Sequence, residues 1–217
     1  MKNKMIWLAT LLLGANVASA EGTRINVGEF SKGSLKGWET KSFSGLSQYA
    51  IQQQGNRKVL KATSKGTASA YGRRARIDLT KTPFLNWSWR VDKPLLNLPE
   101  KTKAGDDYAA RVYVLIDGGV LVWRTKALNY VWSSNPAYKN TRWNNAFAPR
   151  NAKMLALRDQ ADGPGKWISE KRNIAQDFKL MYGFAPRFID GVAVMSDTDN
   201  SRGESAASFG DIFFSAQ

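Results

Sequence analysis

The chain has 217 residues, with 32 Lys and Arg against 18 Asp and Glu, a formal net charge of +14, and neither Cys nor His. Without Cys there is no disulfide framework. Without His there is no Ser-His-Asp or Cys-His arrangement, no imidazole base and hardly any route to a zinc site, so catalysis would fall to Asp, Glu, Tyr, Lys or Arg.

The first twenty residues, MKNKMIWLATLLLGANVASA, place Lys2 and Lys4 before an apolar run from Met5 to Leu13 and end on Ala18-Ser19-Ala20. That is the layout of a secretory leader with an A-x-A cleavage site, and the apolar run is too short to span a bilayer. The mature chain is therefore expected to begin at Glu21, to be periplasmic or secreted, to form one domain over residues 21–217, and to have no transmembrane span. Loss of Lys2 and Lys4 leaves 30 basic against 18 acidic residues, a net charge of +12. Such a surplus draws anions. For an exported protein these are phosphorylated glycolipids, acidic polysaccharide, peptidoglycan or lipid head groups rather than nucleic acid, unless the charge only maintains solubility. Nothing in the sequence sets the oligomeric state.

Along residues 21–217, alternation dominates over helical periodicity. EFSKGSLKGWETKSFSG fits a first strand pairing near the last one. QYAIQQQGNRKVLKATS reads as a hairpin turning at Gly55-Asn56. FLNWSWRV alternates, with Trp87, Trp89 and Val91 on one packed face and Arg90 on the other. ARVYVLIDGGVLVWRTKALNYVW reads as two strands joined at residues 117–119, and FIDGVAVMSDTDN and SFGDIFFSAQ as the last two. IAQDFKLMYG is the one helix, with Ile174, Phe178 and Met181 on one side and Gly183 as its stop. The expected fold is an all-β, antiparallel two-sheet sandwich of jelly-roll type with one short helix.

Residues 133–151, SSNPAYKNTRWNNAFAPRN, break the alternation. A long polar segment with aromatic residues is either a binding loop or one folded back on the sandwich edge. Tyr138, Arg142, Trp143, Asn144 and Arg150 are the candidate ligand-binding residues, with Asn145 beside them. Sugars stack C–H faces on aromatic rings, while amides and guanidinium groups take hydroxyls and carboxylates.

In DDYAARVYVLID, strand alternation would put Asp106 on one face and Asp107 with Arg111 on the other, the latter two roughly 13 Å apart and unable to pair directly. Asp106, Asp107 and Arg111, with Arg90, Arg172 and Asp177, are expected to form a structural ionic network. Asp197 and Asp199 have the spacing of the first ligands of a calcium loop, but Arg202 and Ser208 stand where such a loop needs its glycine and glutamate. A structural calcium held by Asp197, Asp199 and Asp211 is the alternative to turn capping, and no other cofactor is implied.

The segments WSWRV, DDYAARVYV, LNYVW, RNIAQDF, GVAVMSDTDN and FGDIFF together resemble an exported bacterial family known only as domain of unknown function 3047, over roughly residues 25–215. The resemblance implies a whole-chain domain with a galactose-binding-like or carbohydrate-module-like sandwich. It implies no activity, cofactor or catalytic residue. The leading expectation is thus a non-catalytic module binding a glycan or anionic envelope component. The alternatives are a glycoside hydrolase using Asp106 or Asp107 with Asp197 or Asp199, and a purely structural envelope protein.

Overall fold

A computed structural model describes residues 23–120 and 124–217. The expected leader and the cleavage position before Glu21 lie outside the described residues.

Strands of three to eleven residues follow one another, and a sandwich gives their alternating side chains the two environments they need. The first sheet contains β1 (Arg24–Gly28), β3 (Gln48–Gln54), β4 (Arg57–Lys65), β6 (Phe84–Lys93), β11 (Ile168–Asn173), β13 (Glu204–Phe209) and β14 (Ile212–Ser215). The second contains β2 (Trp38–Ser44), β5 (Ala68–Asp78), β7 (Ala110–Ile116), β8 (Lys126–Ser133), β9 (Arg142–Asn144), β10 (Ala152–Asp159) and β12 (Phe188–Asp197). The second sheet runs in the order β2-β5-β12-β7-β8-β10-β9. Pairing is antiparallel except between β8 and β10, which are parallel. No helix among the described residues is long and apolar enough to cross a membrane.

The inner faces share one core. Trp87, Trp89, Val91, Leu60, Phe209 and Phe214 come from the first sheet, and Val112, Val114, Leu128, Tyr130, Trp132 and Val194 from the second. The alternation of FLNWSWRV is realised as expected, and its two tryptophans meet edge to face with centroids 5.5 Å apart. Trp87 then contacts Tyr130 at 5.1 Å and Trp89 contacts Trp132 at 5.7 Å. Each large side chain removed from water contributes about 1.5–3 kcal/mol, so this aromatic seam is a major part of what joins the sheets. α1 (Ile174–Tyr182) closes one side by burying Ile174 and Phe178; Asn173 caps its start and Gly183, at φ 83°, ends it. The Gly55-Asn56 hairpin also forms, with Gln54 opposite Arg57.

Several boundaries differ from the sequence reading. The strand paired with the C-terminal one is β1, over residues 24–28, whereas residues 38–44 form β2 beside β5 in the other sheet. β7 and β8 are separated by residues 117–125 rather than by a three-residue turn. SFGDIFFSAQ follows β6 throughout but breaks at Gly210-Asp211 into β13 and β14, with the register slipping by one residue across the break. A Cβ on Gly210 would lie 2.2 Å from Ser88 Oγ, so the break sits where the chain passes too close to β6 for a side chain.

Candidate functional site

β7 starts at Ala110, so the acids before it do not follow the strand alternation expected of them. Asp106 and Asp107 leave a short 3-10 turn at residues 103–105 and run into the sandwich end, where both are buried. β12 pairs with β7 so that Met195 lies opposite Arg111, which carries Asp197 to the same place. Arg111 Nε donates to Asp197 Oδ1 at 2.9 Å, and its Nη2 donates to Asp197 Oδ2. Nη2 also reaches the Asp106 carbonyl at 2.6 Å, while Nη1 lies 3.3 Å from the Tyr113 hydroxyl. Burial works against the Arg111 charge, but Asp197, Tyr113 and Asp106 outweigh it, so the guanidinium is held more firmly protonated than usual.

The two neighbouring acids have different work. Asp107 accepts from Asn200 N at 3.2 Å, Asn200 Nδ2 at 3.1 Å and Ser201 N at 2.5 Å, which pins the β12–β13 turn. Asp106 Oδ2 accepts from Asn145 Nδ2 at 2.6 Å. Asn145 Oδ1 in turn accepts from Phe147 N and Ala148 N, both at 3.0 Å. Asp106 thereby ties the 133–151 segment to the ion pair. Asn145, expected beside the ligand-binding residues, points inward as this anchor.

Asp107, Asp197 and Asp199 each bring a carboxylate oxygen within 4.8 Å of the others. Burial, and then the Asp107 charge, push the Asp199 carboxyl above its usual range. Asp211 does not join them: it accepts from Ser31 N at 2.8 Å and Ser31 Oγ at 2.6 Å, so the expected three-ligand set is wrong in that member. A divalent cation placed here would face the Arg111 guanidinium across Asp197, an unfavourable neighbour in a low-dielectric site. Asp197 already has Arg111 as its counter-charge, which favours an ion-paired network over calcium here.

Three more members of the expected network lie elsewhere. Arg90 Nε pairs with Asp92, which also pairs with Lys61. Arg172 Nε and Nη2 bind Asp177 at 2.9 and 2.6 Å, and the Tyr130 hydroxyl donates to the same carboxylate at 2.6 Å. The need of strand-borne charges for partners suggested one network; the pairing partners divide it into three.

The 133–151 segment contains a 3-10 turn at Pro136–Tyr138 and the edge strand β9, which places Trp143 opposite Met154. Trp143 is half-buried over Tyr108, Val131, Met154 and Ala156, a small cluster on the outer side of the second sheet. Its ring lies 5.7 Å from that of Tyr138. Arg142, Asn144 and Arg150 are exposed, and Phe147 is 55% exposed. Lys101, which the sequence reading passed over, sits 4.5 Å from the Tyr138 centroid and 5.9 Å from that of Trp143. It precedes Asp106 by only five residues, but nothing in its local pattern announces an aromatic partner 37 residues away.

Glu100 was also missed. It is fully buried and accepts from Ser133 Oγ at 2.8 Å and Ser134 Oγ at 2.7 Å, holding the start of the 133–151 segment. Burial pushes its carboxyl up to about 7, against the Ser134 and Ser133 hydrogen bonds and the Arg111 charge that favour ionisation.

A family model described as "Protein of unknown function (DUF3047)" matches residues 36–213. No curated protein matches the chain. Among solved structures, the chain is similar to the cellulose induced protein Cip1, with 10% identity and a TM-score of 0.50 over 88% of this chain and 96% of that one. It is also similar to the family 11 carbohydrate-binding module of a cellulosomal cellulase of Clostridium thermocellum, with 10% identity and a TM-score of 0.47 over 90% and 96% of the two chains. A xyloglucanase domain of a type three effector from Sinorhizobium fredii has 12% identity and a TM-score of 0.44 over 91% and 99%. At these identities the likeness is one of fold.

Two predictions test the network. Asp107→Ala leaves the backbone N–H groups of Asn200 and Ser201 unpaired and should destabilise the protein by about 3 kcal/mol, while calcium or a chelator should leave the wild-type melting temperature unchanged. A wild-type-like mutant, or a calcium-dependent rise of several degrees, would reassign the cluster. For Glu100 the free-chain value is 4.5 and the folded value about 7. The folded state binds the extra proton between those values, so this group's contribution is present below pH 4.5 and is lost as pH rises to 7, by about 3 kcal/mol in the limit. Glu100→Gln should remove that slope in denaturant melts at pH 5, 6, 7 and 8; parallel curves for mutant and wild type would contradict the assignment.

Proposed function

The chain belongs to the family of unknown function DUF3047, and for this member we propose an exported, non-catalytic module that binds a glycan or another anionic component of the cell envelope. The observation that carries the reading is a division of labour among polar groups. The acids are sealed in hydrogen-bonded pairs, while the 133–151 segment presents Arg142, Asn144, Arg150 and Phe147 to solvent beside the Tyr138–Trp143 pair. Aromatic faces with amide and guanidinium donors suit sugar rings that carry hydroxyls and negative charge. The basic excess and the leader-like N-terminus support an anionic ligand outside the cytoplasm.

The glycoside hydrolase reading is weaker on geometry. Oxygens of Asp107, Asp197 and Asp199 within 4.8 Å approach the separation of a retaining pair, but Asp107 is 0% and Asp197 1% exposed. A general acid or nucleophile must reach its substrate, and these do not meet solvent. A purely structural envelope role is favoured by one observation, the packing of Trp143 on Tyr108 and Met154.

Trp143→Ala should weaken binding to an acidic oligosaccharide about tenfold, the loss expected for one stacking contact. Arg142→Gln, which removes only exposed charge, and Lys101→Gln, which also removes the ammonium over the Tyr138 ring, should weaken it several-fold and more so at low salt. Calorimetric titration with melting curves alongside is the measurement. Unchanged affinity in folded variants would favour the structural role.

A further inference from the structure

The opposite side of the sandwich carries a second polar site. Because Trp87, Trp89 and Val91 point inward, Arg90 points out from the first sheet, and Lys61, Ser208 and Arg90 form one row across β4, β13 and β6. The Gly55-Asn56 turn brings Arg57 to one end of this row, where its guanidinium meets Trp167, just before β11. Beside them is an open cavity of about 630 Å³, lined by Gln54, Gly55, Asn56, Arg57, Arg90 and Trp167. No acid is among those residues.

The charges in this cavity are unevenly paired. The Arg57 guanidinium carbon sits over the Trp167 ring, 3.6 Å from its centroid, and Arg57 makes no ion pair among the described residues. Arg90 has Asp92 on its Nε, and Asp92 is shared with Lys61. One carboxylate is thus shared by two cations, and Arg57 is left without one among the described residues. Burial and the Arg90 charge both depress the Arg57 guanidinium pKa, the mark of two like charges facing one space. Stacking on Trp167 fixes the plane of Arg57 while leaving its N–H edge for a ligand, the arrangement that suits planar, two-oxygen recognition. The amide of Asn56 on the same wall can take a neighbouring hydroxyl.

We propose that this cavity is an oxyanion-binding site, in which Arg57, held by Trp167, and Arg90 bind a carboxylate or phosphate on a small hydroxyl-bearing ligand. The site is separate from the 133–151 segment and does not depend on the reading given to that segment.

The test titrates the full mature chain with glucuronate, inorganic phosphate and, as neutral control, glucose, following tryptophan fluorescence and calorimetry. Glucuronate, phosphate or both should bind, glucose should not, and affinity should fall with added salt. Arg57→Gln, at an exposed turn, should lower the affinity at least tenfold with an unchanged melting temperature. Trp167→Leu, which keeps both charges but frees Arg57, should lower it about threefold. Trp143→Ala should leave it unchanged. Preference for glucuronate identifies a carboxylate source, and preference for phosphate a phosphate source. No binding by either anion, binding that survives Arg57→Gln, or binding lost only in Trp143→Ala would each overturn the proposal.

Discussion

The buried pair of Arg111 and Asp197 is the constraint on which this end of the sandwich depends. It joins neighbouring strands β7 and β12 where both leave the apolar core, and neither charge has water to fall back on. A buried guanidinium is tolerable only with its donors satisfied, and Arg111 spreads them over Asp197, the Asp106 carbonyl and Tyr113. The residues around it are then placed by covalent adjacency. Asp106 and Asp107 arrive because the chain must enter β7 there, and Asp199 because it must leave β12.

From that fixed point the surface is organised in two steps. Asp107 locks the turn at Asn200 and Ser201, and Asp106 reaches Asn145, the residue that shapes the bend at Phe147 and Ala148. Glu100 holds the start of the same segment through Ser133 and Ser134. A loop with few apolar contacts of its own is thus presented by buried polar bonds at both ends, a way of fixing surface aromatics without burying them completely. The same seal that positions the loop closes the acids to substrate, which joins the structural role of the network to the non-catalytic reading.

Much of this fold was legible because alternation reports burial directly. Trp87, Trp89 and Val91 declared their face, Gly55-Asn56 its turn, and Ile174, Phe178 and Gly183 the helix and its end. β5 was harder: Arg73, Arg74 and Arg76 extend over the rim of a strand whose other side is core, and they mask its period. β11, ISEKRN, is nearly all polar because its partner β6 supplies the tryptophans. The parallel union of β8 and β10 has no local signature at all. For the site, residue types were readable and partners were not. Asp106, Asp107 and Arg111 were grouped because buried charge has few uses, but Asp197, the carboxylate that Arg111 binds, was assigned to a calcium set with Asp199 and Asp211. Arg90, Arg172 and Asp177 were grouped with them for the same reason, although Asp92 and Tyr130 take them elsewhere. Asp211 bonds a serine 180 residues away, a distance over which spacing carries no information.

The central claim is that the acids at this end form a structural ion-paired network, and a double-mutant cycle on Arg111 and Asp197 measures that coupling directly. Arg111→Met and Asp197→Asn, alone and together, would be compared by denaturant unfolding at pH 7. The account predicts that each single change costs about 3–5 kcal/mol, since each leaves one partner buried and unpaired. The double change should cost less than the two combined, with a coupling free energy above about 1 kcal/mol. Strictly additive losses, or single variants that unfold like the wild type, would contradict it.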